Sequence, residues 1–279
     1  MKILVPIKRV TDPDNANKAK VSADGKSINT DGMEYKINPY DEYALEAALR
    51  LNENAQSNEK LGETIIVSVG PAESTQTLRQ ALAMGADRAV LVKANDTDLD
   101  SFSVAQILAK IVEKEQPDLV LMGKLAVDSD ANVCGQMLAE LLGWPMATQA
   151  QDLESLDGGK SFIVGREVDM GEMRIKIQTP AVITSADRIL APQAVRNGVT
   201  PADHAYPEAE GGRYASLKGI MAAKKKPIDE LELSSLGITP SLKIKHISFS
   251  LPAARSGQTT FVENASDLVN KLRSESKVI

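Results

Sequence analysis

Residues 123–145, GKLAVDSDANVCGQMLAELLGWP, place two carboxylates and an amide at alternate positions: Asp128, Asp130 and Asn132. Such a triplet suits a metal loop, an acid–base pair, a phosphate seat or a helix cap. A calcium loop needs glycine at its sixth position and a distal glutamate. Here the sixth position is Val133 and the glutamate is missing. Acid–base work by paired carboxylates needs a third group beside them, and no spacing in the chain supplies one. The cap and the phosphate seat both stay open. NVCGQMLAELLG predicts a helix from about Asn132, which can cap it. The same helix start offers free backbone N–H groups and a positive dipole end to an anion. Gly135 lets backbone or ligand come close. Cys134 has no histidine near it in sequence, since His204 and His246 lie far downstream, and it reads as a packing residue.

A loop can do chemistry only where the fold holds it. KILVPI (2–7), TIIVSV (64–69), AVLV (89–92) and DLVLMG (118–123) read as buried strands. Helical patterns at 38–51, 73–85, 101–115 and 132–143 alternate with them. The alternation predicts an α/β fold, a mostly parallel sheet with helices on both faces. Scarce aromatics, with one Trp, four Phe and five Tyr, fit an aliphatic parallel-sheet core. In such folds ligands bind outside the carboxyl ends of the strands. That rule brings KRVTDPDN (8–15), the Gly70-Pro71 turn and the loop after Gly123 to one edge. Asn38-Pro39 marks a helix start, and Gly85 and Gly143 mark helix ends.

Beyond Gly143 the pattern changes. SFIVGREVD and GEMRIKIQT predict a hairpin turning at Met170-Gly171, and PAVITSA (180–186) predicts a strand returning to the main sheet. Residues 190–212 read as a long loop rich in proline, glycine and alanine. A tail follows, with a strand-like LKIKHISFS (242–250) and a helical ASDLVNKLRSE (265–275). It has too few apolar residues for its own core and reads as an arm laid on a partner subunit.

The whole chain of 279 residues carries a net charge of −6 and shows no basic face, which argues against nucleic acid. A single cysteine excludes a disulfide framework and suits a reducing compartment. MKILVPIKRV lacks the features of a signal peptide, and no apolar run reaches the roughly 18 residues of a membrane span. The expectation is a cytoplasmic protein without membrane insertion. No P-loop is present, and no GxGxxG follows a strand. A nucleotide-acting enzyme of the same fold class would therefore lack both a phosphate-binding glycine signature and a plausible base. A free-standing nucleotide sensor would have no use for the arm.

Taken jointly, several stretches resemble the β subunit of electron-transfer flavoprotein across nearly the whole chain. They are KRV (8–10), DGMEYKINPYDEYALEAALRL (31–51), VSVGPAESTQTLRQALAMGADRAV (67–90), residues 118–145, GREVD (165–169), TPAVITSADR (179–188) and GGRYASLKGIMAAKKKPID (211–229). The resemblance implies a heterodimer whose α subunit holds most of a redox FAD. The β subunit would have an adenine nucleotide α-hydrolase-like fold and would bind a structural AMP. On this carry-over AMP lies against Pro6, Asn38, Pro39, Tyr40, Asp41, Val69 and the loop Gly123, Lys124, Ala126, Asp128, Ser129, Asp130, Asn132, Val133 and Cys134. By the same resemblance Tyr40 would approach the flavin, Glu167 would pair with an arginine of the α subunit, and Tyr214 and Leu217 would meet the redox partner, Leu217 as its anchor. The carrier would have no turnover of its own. It would take electrons from acyl-CoA or related dehydrogenases to a membrane quinone oxidoreductase. Domain organisation follows: a nucleotide-binding domain over 1–228, with an insertion loop at 190–212 and a recognition loop at 213–220, then the arm over 229–279.

Three departures from the family pattern matter. Val133-Cys134 stand where Gln-Thr is usual, so phosphate contacts must lean on Asn132 and backbone N–H groups. Ser129 and Ala131 stand where electron-bifurcating relatives, which hold a second FAD at this site, carry Gly and Thr. Residues from about Gln193 to Gly212 have no counterpart in the usual short connection, and Lys218 replaces a proline after the anchor. The insertion is expected to alter partner choice or to shield the anchor.

Overall fold

Strands at the centre of this protein are aliphatic on both sides because helices cover both faces of their sheet. The structure, a computed structural model, describes residues 1–207, 211–253, 257 and 259–279. The main sheet is built from β1 (Lys2–Pro6), β2 (Glu63–Gly70), β3 (Arg88–Lys93), β4 (Leu119–Gly123), β5 (Met146–Leu156), β6 (Ser161–Val168), β7 (Gly171–Gln178), β8 (Ala181–Ser185) and β9 (Ile228–Glu232). Their order across the sheet is β7-β6-β5-β8-β4-β1-β2-β3-β9, and a tenth, short strand, Val195–Arg196, pairs parallel with β5 off this path, inside the segment expected to be a loop. Neighbours from β5 to β9 along this order run parallel, while the β5–β6 and β6–β7 pairs are antiparallel.

Side-chain alternation sorts β1 between the faces. Ile3 and Val5 pack in one core with α1 (Pro39–Leu51) and α2 (Ser74–Met84). Leu4 points into the other core, under α3 (Ser101–Glu115) and α4 (Cys134–Leu142). Leu45 of α1 is fully buried; truncation of such a residue to alanine costs about 2–5 kcal/mol. Helix ends follow their local chemistry. Asp100 and Ser103 form a capping box on α3. Gly143 takes a φ of 64° after α4, a left-handed turn that glycine enters without strain.

The expected strands and helices of the first half are present, as are the hairpin at 170–171 and the returning strand β8. The structure differs in three places. MATQAQDLESL forms the long strand β5, which its sequence pattern does not announce, because polar residues and a bulge between Ala147 and Ala150 break its alternation. LKIKHISFS alternates like a strand, yet 242–250 forms none. The sheet edge is taken instead by IDELE of β9, whose acids look like a solvated turn in sequence but are met by Lys93, 2.6 Å from Glu230. Finally, α4 begins at Cys134 and not at Asn132.

The chain divides into two compact units, 1–20 with 29–246, and 21–28 with 247–279. The first therefore runs beyond residue 228 through β9. In the second, Phe249 N donates to Gly25 O at 2.7 Å, and Asn264 caps α6 (Ala265–Lys271). No helix among the described residues is long and apolar enough to cross a membrane.

Candidate functional site

β1 lies between β4 and β2, so the chain leaves it to one side and later returns on the other. The crevice beyond the carboxyl ends of β1 and β4 is the topological switch point of the sheet, where diverging loops leave room for a ligand. Pro6 closes β1, Gly123 closes β4, Ser185 closes β8, and Val69 is next to last in β2.

Two side chains from the start of α1 tie this crevice together. Asn38 is fully buried. Its Nδ2 donates to Leu125 O at 2.8 Å, and its Oδ1 accepts from Val127 N at 3.0 Å. The side chain thus holds the β4 loop and makes no cap bond, although Asn38 occupies the N-cap position before Pro39. Asp41 Oδ2 accepts from Lys8 N at 2.8 Å and Oδ1 from Gly123 N at 3.2 Å. Burial pushes the Asp41 carboxyl up to about 7, against the pull of the Lys8, Asn38 and Gly123 donors and the Lys8 charge. Ser185 Oγ donates at 3.3 Å to Tyr40 O and to Met122 O, and Lys124 N donates to Ser185 O at 3.1 Å. Loops from β1, β4 and β8 therefore share one buried polar seam.

Outside the seam the loop stands open. Ser129 N and Asp130 N both donate to Ala126 O, at 3.1 and 2.9 Å, folding 126–130 into a turn. Asp130 and Asn132 take left-handed φ of 50° and 48°, a conformation that Asp and Asn tolerate better than most residues. Lys8 Nζ pairs with Asp128 at 2.7 Å, and Lys124 Nζ stands 4.9 Å from the Tyr40 ring centroid.

Helix α4 starts at the far lip of this loop. Val133 is its N-cap and makes no side-chain cap bond. Asn132 is thus not the cap: Gln136 Nε2 donates to its carbonyl at 2.8 Å instead. Gln136 Oε1 is enclosed and has no hydrogen-bond partner among the described residues. The α4 entrance thus offers first-turn N–H groups free of any side-chain cap, which fits an anion. Burial, with Asp41 nearby, pushes the Cys134 thiol up to about 12, so it stays protonated and serves as a packing residue. Gly135 permits close approach of protein: a Cβ there would lie 2.7 Å from Thr184 Cγ2. Among the described residues no group of three or more His, Cys, Asp or Glu could hold a metal ion.

The docking candidates sit on other elements. Glu167 is on β6 opposite Glu172, one pair from the hairpin end. Tyr214 is 97 % exposed and Leu217 78 %. Leu217 opens α5 (Leu217–Ala223), capped by Ser216 Oγ accepting from Gly219 N. In the expected insertion loop, residues 208–210 lie outside the described residues. The preceding part is built into the body: Asn197 Nδ2 donates to Arg50 O at 2.9 Å and to Glu53 O at 2.6 Å. Arg213 then pairs with Glu46 and Glu53, at 2.8 and 2.7 Å.

Lys8 and Ser185 belong to the seam and were not among the expected site residues. Both stand in stretches that carry the family resemblance, KRV and TPAVITSADR, but their roles depend on partners far away in sequence.

The Electron transfer flavoprotein domain family matches residues 26–236. An electron transfer flavoprotein subunit beta from Bradyrhizobium diazoefficiens is 40% identical over 279 residues, covering 100% of both chains. The human subunit is 39% identical over 276 residues, 98% of this chain and 97% of its own. The mitochondrial subunit from Arabidopsis thaliana is 38% identical over 280 residues, covering 100% of both. An α/β sheet of this topology, matched from end to end by such relatives, leaves one assignment: the chain belongs to the electron transfer flavoprotein family, among its β subunits.

Proposed function

We propose that this chain pairs with an electron-transfer flavoprotein α subunit, holds one structural AMP at the β1–β4 crevice and forms one wall of the FAD site. The FAD, held mainly by the α subunit, supplies the redox chemistry. The carrier takes electrons from acyl-CoA or related dehydrogenases and passes them to a membrane quinone oxidoreductase, with no turnover of its own. Its setting is the cytoplasm.

The observation that carries this reading is the pairing of a sealed seam with an uncapped helix. Asn38 and Asp41 satisfy the inward-facing backbone groups of the β1 and β4 loops, accepting from Lys8 N, Gly123 N and Val127 N and donating to Leu125 O. The first-turn amides of α4, which no side chain caps, are left for the phosphate of the nucleotide. On this reading Gly123, Lys124, Ala126, Asp128, Ser129, Asp130, Asn132, Val133 and Cys134 contact the AMP, with Pro6, Pro39, Tyr40 and Val69 from the neighbouring strand ends and helix start. A ligand bound only by the folded form stabilises it by mass action, so an AMP here fastens three loops at once. Arms for a partner also support the reading: Ile247 and Phe261 of the tail are 86 % and 89 % exposed. Such side chains on a segment without a core call for another surface to cover them.

Co-expression with the α subunit, purification and denaturation of the complex test the reading. One FAD and one AMP released per heterodimer support it. Two FAD would assign the chain to the bifurcating type, and no flavin would return it to the nucleotide-acting enzymes.

A further inference from the structure

Helix α5, which presents Leu217, is held by hydrogen bonds more than by a core. Of its residues only Ala223 is buried, while Ile220 and Met221 are 44 % and 58 % exposed. Between α2 and α5 runs a groove of about 510 Å3, flanked by Arg79, Ala83, Ile220 and Ala223. Apolar packing therefore does not close the seam. The contacts that bridge it are polar and reciprocal. Arg79 of α2 donates through Nη1 to Ala223 O and Lys226 O, both at 2.6 Å. Lys226 reaches the other way, its Nζ donating to Leu82 O at 3.0 Å and to Ala86 O. Carbonyls at and just beyond each helix end thus accept from a cation of the other segment, Arg79 at the end of α5, where Ala223 O also accepts from Lys226 N at 3.3 Å, and Lys226 at the end of α2, the charge sign that the C-terminal dipole favours. Gly219 completes the fit, since a Cβ there would stand 2.5 Å from Ala83 O.

A helix of seven residues has little stability of its own. If α5 were loose, a docking partner would have to order it, and that ordering would subtract from affinity. We infer that Arg79 and Lys226 are positioning residues for partner docking: their crossed caps hold α5 so that Leu217 stands preformed on the surface before the electron donor arrives. This rests on the reading of Leu217 as the partner anchor given above.

The test uses the intact heterodimer with an acyl-CoA dehydrogenase as donor, comparing Arg79→Met, Arg79→Lys, Lys226→Met and Leu217→Ala. Methionine keeps an aliphatic stem along the groove and removes the donors. Four quantities are read: bound FAD and AMP, KM of the dehydrogenase for the heterodimer, kcat, and amide exchange over 217–224. Arg79→Met and Lys226→Met are expected to speed exchange about tenfold and to raise KM about five- to tenfold, with kcat and cofactor content unchanged. Arg79→Lys, which can still donate to both carbonyls, is expected to recover most of the KM. Raised KM for Leu217→Ala with wild-type KM for Arg79→Met and Lys226→Met would overturn the crossed-cap role alone. Wild-type KM for Leu217→Ala would overturn the docking reading and this inference with it. Cofactor loss in both methionine variants would also contradict the inference, because it would show a role in the fold and not in docking.

Discussion

The carboxylate of Asp41 occupies the space that a side chain at position 123 would need. A Cβ on Gly123 would collide with Asp41 Oδ1 and come within 2.7 Å of Tyr40 Cβ. The end of β4 and the start of α1 therefore meet backbone to side chain, and the Gly123 amide can reach the acid. Gly123→Ala is expected to push α1 off the sheet edge and to destabilise by about 1–3 kcal/mol, the usual range for overpacking. Thermal unfolding of the purified variant checks this, and reduced AMP in the purified heterodimer should accompany it.

Asn38→Ala removes a buried amide that satisfies Leu125 O and Val127 N. Leaving two such groups unpaired costs roughly 1–3 kcal/mol each, so a loss of about 2–6 kcal/mol is expected. Asn38→Asp keeps the acceptor for Val127 N and sets a carboxylate against Leu125 O; it should fall at least as far at neutral pH. Urea unfolding at fixed ligand concentration separates the two variants.

Asp41 gives stability a pH dependence of definite sign. Its folded-state value, pushed up to about 7 by burial, lies above the ordinary carboxylate value of 3.8. Between those values the folded chain holds the proton that the unfolded chain has lost. The contribution of this group is thus fully present below about 4 and fades as pH rises through about 7. A rise from 3.8 to about 7 is worth on the order of 4 kcal/mol, already net of the Lys8 and Gly123 donors that favour the charged form. Unfolding free energy measured from pH 5 to 8 should decline more steeply in the wild type than in Asp41→Asn, which has no proton to lose.

Much of this site could be read from single stretches of sequence. Asn38-Pro39 announced a helix start, and the runs ending at Pro6, Val69 and Gly123 announced strand ends on one rim. The roles inside the rim could not be read that way. Asn38 looks like a cap because Asn commonly is one, but Pro39 already suits the first turn and the freed amide reaches residues 87 and 89 positions away. Lys8 finds Asp128 at a separation of 120 residues, which no local pattern encodes. β5 escaped notice because Gln149, at a left-handed φ of 54°, sits in a bulge that disrupts alternation. β9 escaped because an edge strand carries its charges outward, as a loop does.

Arg213 fastens the chain ahead of the docking helix. Glu46 is 3 % exposed and lies between Arg50 at 2.7 Å and Arg213 at 2.8 Å. Burial alone would raise its carboxyl, but Arg213 and Arg50 outweigh burial and hold it below its ordinary value. Arg213→Met should cost about 2–4 kcal/mol, somewhat under the usual penalty for stranding a buried charge because Arg50 remains. Limited proteolysis should then cut the variant within 191–207 faster than the wild type. Adding Glu46→Gln should recover part of the lost stability, a coupling that a double-mutant cycle measures.

The central claim is that the β1–β4 crevice seats an adenylate whose phosphate is held by the main-chain amides at the start of α4. A crystal structure of the heterodimer purified with its native ligands tests it most directly. The account predicts an adenosine monophosphate in that crevice, its phosphate within hydrogen-bonding distance of the first-turn N–H groups that begin at Cys134. A crevice closed over by its own side chains, or a flavin filling it in place of the adenylate, would contradict the account.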